Sequence, residues 1–137
     1  MKSILSTSQR IAAVSFLPSI VLFVSSCFLP AIEDGEWGTL LGGGCLIFIP
    51  YCIAFPAWYA NPILFVGFLG AACGSSTALI SVGIFATVLA ASFSLLPHPN
   101  LTLQIGYWVW LASYLCFVLG AVRCHMLKPP EETPEFL

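Results

Sequence analysis

Residues 62–96, PILFVGFLGAACGSSTALISVGIFATVLAASFSLL, decide the fold class, because no charged side chain occurs anywhere in them. As one straight helix at 1.5 Å per residue they would reach about 52 Å. That far exceeds the roughly 30 Å of hydrocarbon in a bilayer. The small, turn-favouring group Cys73-Gly74-Ser75-Ser76-Thr77 is where the chain must fold back. The stretch therefore divides into a short helix over residues 62–73 and a fuller one over 76–95.

The remainder of the chain has the same character. Of 137 residues, 59% are hydrophobic and 7% charged, whereas soluble domains carry roughly 25% charged residues. Mean hydropathy is +0.99. Four Lys/Arg and six Asp/Glu cannot coat a water-facing sphere of this size. The composition indicates one integral membrane domain over residues 1–137 with the lipid bilayer as its solvent. It excludes a soluble enzyme, a nucleic-acid binder and a disordered chain.

Charges collect towards the two ends. Lys2 and Arg10 precede the first apolar run, and Arg123 and Lys128 close the last. Between Arg10 and Arg123 the only formal charges are Glu33, Asp34 and Glu36. A voltage sensor or a carboxylate proton relay needs ionisable groups within the membrane, and none is available there.

Residues 11–30 read as a transmembrane helix containing Pro18, whose freed carbonyl neighbouring groups can satisfy. A competing reading takes Lys2 and Arg10 as the n-region of a signal peptide, with Val24-Ser25-Ser26-Cys27 as a loose lipoprotein box; the apolar run continues past Cys27, which favours a retained helix. An acidic loop follows over residues 31–37, with Trp37 as an interfacial anchor. Residues 38–57 form a second helical run, rich in glycine at 42–44 and interrupted by Pro50 and Pro56. Trp58-Tyr59-Ala60-Asn61-Pro62 marks a break, since the residue before a proline is pushed out of the helical region. A fresh helix then starts near Pro62. Residues 97–100 (PHPN) form a loop. The last helix covers residues 104–124 and opens on an aromatic belt of Tyr107, Trp108 and Trp110. Residues 129–137 form an extended polar tail.

The expected fold class is thus all-α, a polytopic membrane helical bundle of five helical segments, 11–30, 38–57, 62–73, 76–95 and 104–124. Basic residues favour the cytoplasm, and both ends carry them. Four crossings with both ends cytoplasmic are therefore favoured, residues 38–73 making one discontinuous passage. The rival has five crossings with Lys2 and Arg10 outside.

Two segments, Ala57-Trp58-Tyr59-Ala60-Asn61-Pro62 and Gly106-Tyr107-Trp108-Val109-Trp110-Leu111-Ala112-Ser113, resemble a group of small, uncharacterised bacterial inner-membrane proteins. That group shares a W-[LY]-A-N-P turn and a G-Y-x-x-W-L-x-S helix start, and the resemblance runs over about residues 30–122. In the group the connection matching residues 74–77 is often basic, and therefore cytoplasmic. Here it carries no basic residue. The resemblance implies a location in the bacterial cytoplasmic membrane and no activity.

Candidate chemistry is sparse. Cys27, Cys45, Cys52, Cys73, Cys116 and Cys124 contain no C-x-x-C pair, and metal sites want short, defined spacings. They read as small lipid-compatible side chains. His98 lies between prolines and His125 at a helix end, neither suited to haem ligation within an apolar slab. Glu33, Asp34 and Glu36 lack a D-x-D-x-D-G loop for calcium and read as a solvated turn. No metal, cofactor or catalytic residue is expected.

Small residues at helical spacing are the strongest pattern. Gly67, Gly70 and Gly74 on one helix, Ala86, Ala90 and Ser94 on the next, and Ala112, Cys116, Gly120 and Cys124 on the last form stripes that let backbones approach in lipid. The break at Trp58, Asn61 and Pro62 is the candidate substrate site, because discontinuous helices expose backbone groups that transporters use for binding. The alternative there is a plain interfacial turn. No set of nucleophile, acid and base converges, so the expected function is non-catalytic: an accessory or scaffold subunit packing with other membrane subunits or with itself. Two alternatives stay open. One is a small oligomeric transporter or channel for a neutral solute; the other is an immunity protein against a membrane-active toxin.

Overall fold

A computed structural model describes residues 7–35, 38–47, 56–73, 76–95 and 101–127. The chain is mostly helical. In order it forms α1 (Thr7–Phe28), β1 (Pro30–Asp34), β2 (Gly38–Leu41), a short α2 (Gly42–Ile47), a 3-10 turn (Pro56–Tyr59), α3 (Ala60–Cys73), α4 (Ser76–Leu95), β3 (Leu101–Leu103) and α5 (Ile105–Met126). Segments 10–27, 77–95 and 105–126 are long and apolar enough to cross a membrane.

The four longer helices run alternately up and down. Ser15 of α1 abuts Gly120 of α5, while Ser19 donates to the Ser113 carbonyl at 2.8 Å, so α1 and α5 are antiparallel. Gly83 of α4 abuts Phe117 and Val118, and Tyr107 donates to the Ala90 carbonyl at 3.0 Å; α4 is antiparallel to α5 as well. Phe16 and Phe23 of α1 meet Phe68 and Phe65 of α3 respectively, which makes α3 run with α5. Arg10, Arg123 and His125 consequently lie at one end of the bundle and the strands at the other.

Phe117 is the point where all four helices meet. Its ring lies 4.9 Å from Phe16 and 5.1 Å from Phe68. A Cβ on Gly67 would stand 2.7 Å from its Cζ, and one on Gly83 would stand 2.9 Å from its Cδ1. Two glycines thus form a slot that admits a phenyl ring. The rest of the interior is small: Ala60, Ala86, Ala90 and Ala121 are fully buried, as are Ser19 and Ser113.

The strands depart from the expected all-helical pattern. They form one antiparallel sheet in the order β2-β1-β3. Ile32 pairs with Leu40 on one side and Leu103 on the other, and Glu33 with Thr39 and Thr102. Residues 31–34, expected in an acidic loop, are thus a central strand, and the expected helix 38–57 begins instead as β2. Strand propensity gave little warning, because Pro, Ala, Glu and Asp are not β-formers. Backbone groups leaving a helix end still need partners, and a hairpin supplies them. Gly38 enters β2 at φ +77, a conformation that suits glycine.

Gly42 and Gly43 rest against Ser26 and Cys27, in the last turn of α1, whereas Ala57 packs with Phe93 and Tyr107. Both described ends of the 38–57 run therefore sit at the strand end of the bundle. The passage back is carried by the 3-10 turn and α3. Four residues at about 2.0 Å and fourteen at 1.5 Å span roughly 29 Å, so α3 is less short than its own length suggests. Helix α4 has the expected bounds, and α5 those expected to within two residues. Lys2, Glu36, Trp37, Pro50, Cys52, Gly74, residues 97–100, Lys128 and the 129–137 tail lie outside the described residues.

Candidate functional site

The segments around Asn61 and Trp110 meet in space. Asn61, in the first turn of α3, faces Trp110 and Tyr114, one turn apart on α5. Its Oδ1 accepts a hydrogen bond from Trp110 Nε1 at 2.9 Å and another from the Tyr114 hydroxyl at 3.0 Å. Its Nδ2 donates to the Trp58 carbonyl at 3.2 Å. An amide oxygen has two lone pairs, and both are engaged. Asn61 and Tyr114 are buried, so water cannot replace either partner.

Local chemistry explains the Asn-Pro pair. A helical residue 62 would ordinarily donate its N–H to the carbonyl of residue 58, and proline has no N–H to give. The Asn61 amide donates to that carbonyl instead. The expected break is accordingly a junction, in which the 3-10 turn passes directly into α3 at Ala60, two residues before Pro62. Proline is tolerated in a first turn, where backbone donors lack intrahelical partners anyway.

Around this node the aromatic side chains divide by role. Tyr107 is buried beside Phe93 and holds the Ala90 carbonyl, Trp110 is half-buried, and Trp108 is half exposed. Only Trp108 has the outward position expected of a belt residue. Trp58 packs edge-on against Tyr59 at 5.6 Å, and its Nε1 is buried without a hydrogen-bond partner.

Of the expected packing residues, Gly67, Gly70 and Gly120 lie against neighbouring helices, and Gly74 lies outside the described residues. Gly67 faces Phe117, Gly70 faces the Leu79 side chain, and Gly120 lies under the Ser15 carbonyl oxygen, to which a Cβ would come within 2.6 Å. Ala112 and Cys116 are half-buried on the same helix. Two further close approaches lie outside the small-residue stripes. Gly83 completes the Phe117 slot, and Gly106 admits the backbone of Leu29 and Pro30. Tyr114 was missed too, although a hydroxyl one turn beyond Trp110 in an apolar helix requires an acceptor, and Asn61 is the amide at hand.

At the strand end, Glu33 Oε2 accepts from Gln104 Nε2 at 2.7 Å and from Thr102 at 3.5 Å. Glu33 thus ties β1 to the start of α5. Among the described residues no three His, Cys, Asp or Glu side chains gather as metal ligands. Comparison of the chain with family models, with curated proteins and with solved structures gave no match.

Proposed function

We propose that this chain is an integral protein of the bacterial cytoplasmic membrane that crosses four times and serves as a non-catalytic accessory or scaffold subunit. The observation that carries the membrane reading is the direction of side-chain polarity. Val14, Leu17, Val21 and Val24 of α1, Phe65, Val66 and Leu69 of α3, Ile84, Phe85 and Val88 of α4, and Leu115 and Leu119 of α5 all point outward. Ser15, Ser19, Ser26 and Ser113 point inward. A water-soluble bundle requires the reverse arrangement, whereas membrane helices meet through small and hydroxylated residues. Arg10 and Arg123 share one end of the bundle, which supports placing that end in the cytoplasm.

A scaffold role is favoured over solute transport by the state of Asn61. Its acceptor oxygen is taken by Trp110 and Tyr114 and its amide by a carbonyl, so the side chain acts as a fastening between α3 and α5. The deciding experiment purifies tagged full-length chain from membranes in mild detergent and identifies by mass spectrometry what accompanies it. Stoichiometric recovery of a membrane subunit, this chain's own copies included, supports the reading. Recovery of a defined homo-oligomer whose solute uptake disappears in Asn61→Ala, with folding retained, would establish transport instead.

A further inference from the structure

Among the described residues, Pro18 and Pro62 each remove a donor from a helix, and Pro62 is the compensated one. Pro62 frees the Trp58 carbonyl, which the Asn61 amide takes up. Pro18, within α1, frees the Val14 carbonyl by the same chemistry. The nearby hydroxyls do not serve it, since Ser19 donates to Ser113 and Ser15 is unpaired. Val14 is 60% exposed, Leu17 55% and Val21 53%, and Pro18 lies among them on the outward face. If α1 lies in lipid, as proposed above, a bare acceptor is left where no water can reach it, which is unfavourable.

A donor of matching depth exists on the opposite flank of the same molecule. Ser15 lies level with Gly120, and Gly83 with Phe117 and Val118. Since α1 and α4 both run against α5, Ser81 stands at the height of Ser15 to within about one turn, ~5 Å. The Val14 carbonyl points along α1 towards that same height. Ser81 is exposed and its hydroxyl reaches the Thr77 carbonyl only at 3.5 Å. Thr77 and Ala78 beside it are also exposed, forming a small-residue patch that allows a neighbouring backbone to come close. Copies inserted with one orientation share their depth, so donor and acceptor from two molecules are already in register.

We infer that the Pro18 face of α1 is an interface for a second copy of this chain, whose α4 presents Ser81 to the Val14 carbonyl. The contact joins two different surfaces and is therefore head-to-tail, closing into a ring where the rotation permits. It deepens the scaffold reading by naming the partner.

The test places a photoreactive benzoylphenylalanine at Leu17 in the full chain, in native membranes, and maps cross-links by mass spectrometry. Cross-links should fall on residues 77–88 of a second copy. Ser81→Ala and Pro18→Ala should each lower their yield about fivefold, the effect of one interhelical hydrogen bond. Pro18→Ala restores the α1 ladder, so it tests the contact without loosening the fold. Cross-links to α1 of a second copy, to another protein or to lipid alone would overturn the proposal, as would yields that neither variant changes. A membrane-retained monomer overturns the proposal alone. Release of the wild-type chain by alkaline carbonate overturns the membrane reading beneath it.

Discussion

Asn61 owes its position to three demands that coincide on one side chain: a carbonyl without a backbone donor, an indole N–H and a buried phenol. Removing it in Asn61→Ala leaves the last two without an acceptor. Interhelical hydrogen bonds in membrane proteins are worth about 0.6–2 kcal/mol each, so the variant should lose about 1–3 kcal/mol in a denaturing-detergent titration followed by tryptophan fluorescence. Tyr114→Phe should cost less, because Trp110 still holds the amide oxygen. The double variant should fall short of the sum. A second cycle tests the partnership with Pro62. In Pro62→Ala the backbone N–H returns to the Trp58 carbonyl, so part of the penalty of Asn61→Ala should vanish, by about 0.5–1 kcal/mol. A full penalty in both backgrounds would show that the Nδ2 bond contributes nothing. Asn61 could be singled out from its neighbours in sequence, but its partners could not. They lie 49 and 53 residues away, and which helix faces meet is decided by packing.

At the level of elements, the helices were legible wherever apolar runs ended on strong breakers. Residues 76–95 follow a Gly-Ser-Ser sequence and precede a proline-rich one, and α4 has those limits. Legibility failed at residues 30–41, where strands of five and four residues carry too few side chains for a period-two signal and glycine, proline and acids argue against them. Small-residue stripes identified which helices approach closely but did not rank the contacts. Distances now rank them. Gly120→Ala brings a methyl to 2.6 Å from a backbone oxygen that cannot turn aside, so α1 should separate from α5 and the folded yield in mild detergent should fall severalfold. Gly70→Ala meets only the end of the Leu79 side chain at 3.3 Å and should leave that yield near wild type. Equal losses in the two variants would contradict the ranking.

Among the described residues, four longer helices pack together, with Arg10, Arg123 and His125 at one end and a small sheet at the other. The topology proposed here puts both ends of the chain on one side of the membrane. Alkaline phosphatase and green fluorescent protein, fused in turn to either end, should both report the cytoplasm, and a phosphatase inserted at Gly35 should be active outside. Opposite reports from the two ends would restore the five-crossing arrangement. Composition made the long apolar helices readable from the first count of charges; the strand that opens the 38–57 run was not readable, because an apolar run does not fix its own direction. The sheet has a consequence for how the chain matures. β1 is the middle strand, and Glu33 waits for Thr102, 69 residues later. At roughly 5–20 residues per second of synthesis, the hairpin β1–β2 spends several seconds with one edge bare while α3 and α4 are being made. During that interval a nascent chain can recruit a stray strand, and release of β1 from that hazard comes only when the ribosome has delivered β3.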